Sequence, residues 1–188
     1  MIYTERATWS AAELVALPQD GYHYELVKGR LIQMTPTTAD HGETSGDLGT
    51  EIGLYVRAHG GHYYGAETGF NLTLPEETEE TVLGPDAAYI RDAVVPKDEH
   101  GFVGRAPDLA VEVASPTQFR PEMEGKARLW LARGCRMVWL AWPKYRTIEV
   151  WRPGDTAPGQ ILRIGDELDG ADVLPGFRYP VDKAFKMP

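Results

Sequence analysis

Pro107-Asp108-Leu109-Ala110-Val111-Glu112-Val113-Ala114-Ser115-Pro116-Thr117-Gln118-Phe119-Arg120-Pro121-Glu122-Met123-Glu124-Gly125-Lys126 decides how this chain folds and where its chemistry lies. The first part reads as a short buried strand. Side chains alternate along a strand, so Leu109, Val111 and Val113 share one face. Asp108, Ala110, Glu112 and Ala114 share the other. Carboxylates on a small, apolar strand face are costly unless a metal ion, a cation or hydrogen bonds meet them. Ser115-Pro116 ends the strand. A helix pattern follows from about Pro121, where proline suits the first turn. Met123, Ala127, Trp130 and Leu131 form its apolar stripe, and Lys126 borders the core-facing arc.

Upstream of this stretch, Thr8 to Leu14 opens a short helix, with Ser10 and Glu13 spaced as a capping box. Tyr22–Val27 and Arg30–Met34 read as strands joined at Lys28-Gly29, a hairpin turn. A helix fits Ala39 or Asp40 to Ala58, carrying His41 in its first turn. One or two strands fall within Tyr63–Leu74, and Pro75–Thr81 is an acidic loop. Pro85–Ile90 is a strand that Asp86 enters directly after a proline. Asp92–Arg105 reads as a long connection without pattern. Downstream, strands fit Arg136–Trp142, Thr147–Trp151 and Ile161–Ile164, ahead of a poorly patterned tail. Helix, strands, helix, strand predicts an α/β or α+β fold, a mixed sheet packed by helices, with an N-terminal helix and hairpin.

The length of 188 residues suits a single domain spanning 1–188, large enough for a real core. No stretch approaches the roughly 20 apolar residues that cross a bilayer, so no membrane partner is expected. The start lacks the basic and apolar segments of a signal peptide. A single cysteine, Cys135, excludes an intramolecular disulfide, and a cytoplasmic location is expected. Cys135 precedes a strand of Val and Trp and reads as a buried structural thiol. The net charge of −9 argues against a nucleic-acid partner at first sight. The charge is uneven, however: seven cations and only Glu149 fall between Lys126 and Arg152, so a local basic surface stays open.

Three acids, Glu25, Asp86 and Glu112, stand out, with Lys126 as their companion cation. Metal-assisted phosphodiester hydrolysis needs such a set: oxygen ligands for a hard divalent ion, and a cation near the developing charge. Each acid also has a bland reading. Asp86 follows a proline, where aspartate often caps a turn, and Glu25 lies within reach of Lys28 or Arg30 across its hairpin. A glycosidase with two carboxylates, served by Tyr22, Tyr24 and Tyr89, is a third reading. No phosphate-binding loop, Cys/His metal spacing or Gly-x-Ser-x-Gly elbow is present.

Tyr24-Glu25-Leu26-Val27-Lys28-Gly29-Arg30-Leu31, His41 after a Pro-rich break, Pro85-Asp86, Pro107 to Pro116 and Lys126 together resemble the Uma family. Its members are restriction-endonuclease-like proteins of the PD-(D/E)XK nuclease superfamily. The resemblance runs from about Thr8 to Trp151. It implies a restriction-endonuclease-like mixed sheet flanked by helices, a Mg2+- or Mn2+-dependent endonuclease, nucleic acid (DNA) as the partner, and a homodimer. Carried over by position, Asp86 and Glu112 resemble the metal-binding acids, joined by the main-chain carbonyl of Val113. Glu25 resembles a third acid near the metal, and His41 a histidine beside the site. Asp108 matches a family position that is read here as structural. The superfamily motif wants lysine two residues after the second acid, where this chain has Ala114. Lys126 then resembles a migrated lysine supplied from the following helix. That departure keeps an alternative open: a nuclease-like domain that binds nucleic acid or protein with little or no cutting.

Overall fold

In the computed structural model, which describes residues 2–3, 8–18, 20–34 and 36–185, the stretch 107–126 folds into a strand and the first half of a helix. In chain order the first half of the protein contains β1 (Ile2–Tyr3), α1 (Ala11–Val15), β2 (His23–Val27), β3 (Arg30–Met34), α2 (Ala39–His59), β4 (His62–Gly65), β5 (Phe70–Asn71) and β6 (Val82–Leu83). The second half contains β7 (Ala87–Ile90), β8 (Leu109–Val113), α3 (Arg120–Ala132), β9 (Met137–Trp142), β10 (Thr147–Trp151), β11 (Gln160–Arg163), β12 (Glu167–Asp169), β13 (Arg178–Pro180) and α4 (Val181–Ala184). A short 3-10 turn, Pro143–Tyr145, joins β9 to β10.

The described residues form two compact units, one drawn from residues 1–36, 66–85 and 94–106, the other from 37–65, 86–93 and 107–188. The strands divide accordingly. A five-stranded sheet, ordered β1-β3-β2-β6-β5, belongs to the first unit, and a six-stranded sheet, β11-β10-β9-β8-β7-β4, to the second. β5 and β6 are only two residues long; β6 joins the hairpin at Leu26↔Val82, and β5 pairs with β6.

In the first unit, the β2–β3 hairpin turns at Lys28-Gly29 with φ of 48° and 69°. Two successive positive φ values match the twist of the flanking strands. At α1 the Ser10 hydroxyl accepts the Glu13 N–H, and the Glu13 carboxylate accepts the Ser10 N–H, so the capping box is complete. The Asp92–Arg105 connection is not patternless. Asp98 Oδ1 accepts the N–H groups of His100 and Phe102, and Val103 makes β-bridges to Lys97 and Phe70. One aspartate thus replaces the missing ladder bonds, in the manner of an Asx turn.

In the second unit, β8 and β9 run parallel, joined by α3 as the crossover, while the other neighbours in the sheet are antiparallel. A crossover helix of this kind runs back along the sheet and covers one face. β8 is buried throughout. Leu109, Val111 and Val113 join Leu48, Ile52 and Tyr55 of α2 in one core cluster. Met123, Ala127, Trp130 and Leu131 are the buried face of α3. The tail is more ordered than its pattern suggests: Leu168, Val173, Leu174, Phe177, Tyr179, Val181, Ala184 and Phe185 all enter the core cluster. Cys135 is fully buried, and burial pushes its thiol up to about 12. Among the described residues, no helix is long and apolar enough to cross a membrane.

Candidate active site

The acids of β8 and of the approach to β7 meet through strand pairing. Ala87 lies opposite Val111 in the antiparallel ladder, so Asp86 reaches the end of β8 where Glu112 and Val113 stand. The Asp86 N–H donates to the Val111 carbonyl at 2.9 Å. Its side chain takes over where the main-chain ladder stops: Oδ2 accepts the Val113 N–H at 2.7 Å. The other oxygen, Oδ1, stands 3.3 Å from Nε2 of His41, a buried residue in the first turn of α2. His41 Nδ1 is buried and has no partner of its own.

Glu112 is almost wholly buried, and its carboxylate is gripped by α3. Oε1 accepts the indole N–H of Trp130 at 2.7 Å, and Oε2 stands 3.0 Å from the Lys126 ammonium. Lys126 and Trp130 are four residues apart on one helix, which places them on the same face. The Lys126 side chain is 15% exposed and the Glu112 side chain 4%. A pair this dry holds its charges only because each finds a partner; removing one leaves the other stranded.

Five expected site residues therefore gather in the second unit: His41 against Asp86, Asp86 against the Val113 main chain, and Glu112 against Lys126. Glu25 belongs to the other sheet, on β2. It is buried, and its Oε1 accepts the Gly84 N–H at 2.9 Å, two residues before Asp86 in the chain. The Asp108 carboxylate accepts the Arg91 N–H at 2.9 Å and meets Arg136 at 3.5 Å, at the start of β8.

Two participants escaped the sequence. Trp130 reads as an apolar stripe member, yet its indole N–H is the second hand on Glu112. The signal was its spacing of four from Lys126. Glu149 reads as the lone acid in a basic run, but it is fully buried and in register with Leu140, which is itself in register with Glu112. Arg120 pairs with Glu149, and the Trp151 indole donates to it at 3.1 Å. Arg120 stays charged more firmly than usual because of that Glu149 bond. The basic run is also less basic in space than in sequence. Arg136 and Arg152 both converge on Asp172, at 2.7 and 2.9 Å, and Arg128 lies 3.7 Å from Glu124.

Oxygen donors dominate the Asp86–Glu112 end of the sheet, and hard divalent ions take such donors. Within a strand, the N–H and C=O of one residue point to the same side. The Val113 carbonyl therefore points toward the side from which Asp86 meets its N–H. Among the described residues, no group of three or more His, Cys, Asp or Glu side chains is arranged to hold a metal ion. Two carboxylates and a main-chain carbonyl still fit Mg2+, which commonly uses one or two carboxylates and keeps several waters.

Residues 11–182 match a family model, Uma2, described as "Putative restriction endonuclease". No curated protein matches the chain. Among solved structures, the chain resembles a crystal structure described as "a putative nuclease belonging to DUF820" from Anabaena variabilis ATCC 29413. The TM-score is 0.75 at 19% identity, covering 96% of this chain and 98% of that one. At that identity the likeness establishes the fold: a mixed sheet flanked by helices.

Proposed function

Because the chain belongs to the Uma2 family of restriction-endonuclease-type proteins, we propose that it is a metal-dependent endonuclease that hydrolyses phosphodiester bonds, with DNA as its substrate. The observation that carries this is the Lys126 ammonium at 3.0 Å from the buried Glu112, at the strand end that Asp86 also reaches.

Asp86, Glu112 and the Val113 carbonyl would hold a Mg2+ or Mn2+ ion. When bound, such an ion supplies Lewis acidity toward a phosphate oxygen and acidifies a water. Lys126 sets a positive charge beside Glu112, where negative charge would build on the phosphate in the transition state. His41 and the Val113 N–H fix the two oxygens of Asp86. Trp130 fixes Glu112. Preorganised carboxylates and a preplaced cation lower the barrier without reorganisation during the reaction.

A supercoiled plasmid incubated with the full chain and Mg2+ tests this. The expected result is nicking that stops on chelation and is absent in Asp86→Asn. Equal cutting by that variant would overturn the reading. One observation favours a second reading, a nuclease-like domain that binds without cutting: both Glu112 oxygens are engaged by protein groups. It predicts oligonucleotide binding that Mg2+ leaves unconverted to product. The homodimer implied by the family resemblance is checked by sedimentation of the same preparation.

A further inference from the structure

We propose that the N-terminus of α3 and the β9–β10 turn together form a stacking platform for an unpaired nucleobase of the substrate strand. The proposal rests on the nucleic-acid reading above and deepens it by naming the form of strand that the protein takes.

Phe119 stands immediately before α3 and is 75% exposed; Tyr145, in the β9–β10 turn, is 57% exposed. Large aromatic rings at such exposure forfeit burial that the core would reward. The groups beside them are cationic. The Arg120 guanidinium lies over the Trp142 ring, 4.7 Å from its centre, and the Lys144 ammonium lies 5.6 Å from the centre of Tyr145. The Trp142 and Tyr145 rings are 6.3 Å apart, so the aromatic and cationic groups interleave. The Trp142 indole nitrogen is buried and has no hydrogen-bond partner.

This combination has a specific complement. Cations attract the phosphate backbone, and exposed aromatic faces stack on bases without regard to sequence. A base inside a duplex has both faces covered by its neighbours, whereas an unpaired base offers one. The net charge of −9 opposes a polyanion over the surface as a whole, so binding must come from a local cation–aromatic patch of this kind. It lies at the proposed catalytic end: the turn follows the last residues of β9, whose Ala141 pairs with Val113. Lys126 sits seven residues along α3 from Phe119, which at 1.5 Å per residue is about 10 Å. That distance is a few nucleotides along a strand.

The test is binding of fluorescein-labelled 20-nucleotide pyrimidine strands, single-stranded or in blunt duplex, to the full chain in chelator, read by anisotropy. The single strand should bind the wild type more tightly than the duplex does. Phe119→Leu/Tyr145→Leu should weaken single-strand binding about tenfold or more while duplex binding stays within about twofold. Both side chains are exposed, so an unchanged melting temperature certifies the fold. Equal single-strand binding by variant and wild type overturns the platform, as does wild type that binds no strand. Cleavage is read separately with Mg2+: a wild type that binds through these rings but never cuts removes the nuclease reading and leaves the platform standing.

Discussion

The Lys126 ammonium and Glu112 Oε2 lie 3.0 Å apart, although fourteen residues and a change from strand to helix separate them in the chain. The lysine reaches the acid because α3 is the crossover between two parallel strands and covers the face that carries Glu112. Lys126→Met keeps the apolar stem and removes the charge. It should leave a folded protein, less stable by about 3–5 kcal/mol because the buried Glu112 loses its cation. Plasmid nicking should fall by a factor of about 100 or more. A variant that nicks as fast as wild type would show that Lys126 takes no part in the reaction.

Trp130→Phe preserves most of the buried ring volume but deletes the donor to Glu112 Oε1. A buried carboxylate oxygen left unsatisfied costs about 1–3 kcal/mol. For a protein of this size that is a fall in melting temperature of roughly 2–10 °C. Calorimetry of Trp130→Phe against Leu131→Val, a buried apolar residue of the same helix, separates the lost bond from lost packing.

Two adjacent glycines should respond differently. Gly60 and Gly61 have φ of 85° and 92°, so alanine is strained at either. A Cβ at Gly60 meets nothing within 4 Å, whereas one at Gly61 would lie 2.7 Å from the Ile90 carbonyl oxygen. Backbone of a buried strand cannot yield cheaply. Gly60→Ala should cost about 1 kcal/mol and Gly61→Ala at least about 2–3, measured by urea unfolding.

Alkali should weaken the fold well before lysine or arginine titrates fully. Burial raises the Cys135 thiol from 9.0 to about 12. Burial, and then the nearby Asp47, Glu51 and Asp182 charges, raise the Tyr179 phenol from 10.0 to about 12. Both folded pKa values lie above the unfolded ones, so the native state binds more protons in between. Their stabilisation is fully present below about pH 9 and is lost as pH rises toward 12. Urea midpoints should therefore fall steadily from pH 9 to 11. In Cys135→Ala the slope should be shallower; an identical slope would show that the thiol takes no part.

Local signals in the sequence were faithful where they were self-contained. The Ser10–Glu13 capping box, the Lys28-Gly29 turn and the strand–helix order around Glu112 each depend on a few neighbouring residues, and each forms. The division of strands into separate sheets was not legible, because it depends on partners such as Leu26 and Val82, far apart in the chain. The tail defeated periodicity for a different reason. Leu168, Val173, Leu174 and Phe177 are buried at irregular intervals around Gly170, where a Cβ would collide with the Leu174 carbonyl oxygen. At the site, Lys126 could be singled out from helical spacing alone. Glu149 could not, since its place beside the Glu112 row needs the register of three strands.

Ala114 continues the Glu112 face, two residues further along, and is nearly buried. A lysine there would have to thread its charge out through packed atoms. Housing the ammonium on α3 instead frees the strand to be chosen for packing alone, and lets the helix be retuned turn by turn. Acid and cation thereby lie within one short run of chain, from Glu112 to Lys126, whereas Asp86 and His41 are brought to them by tertiary pairing.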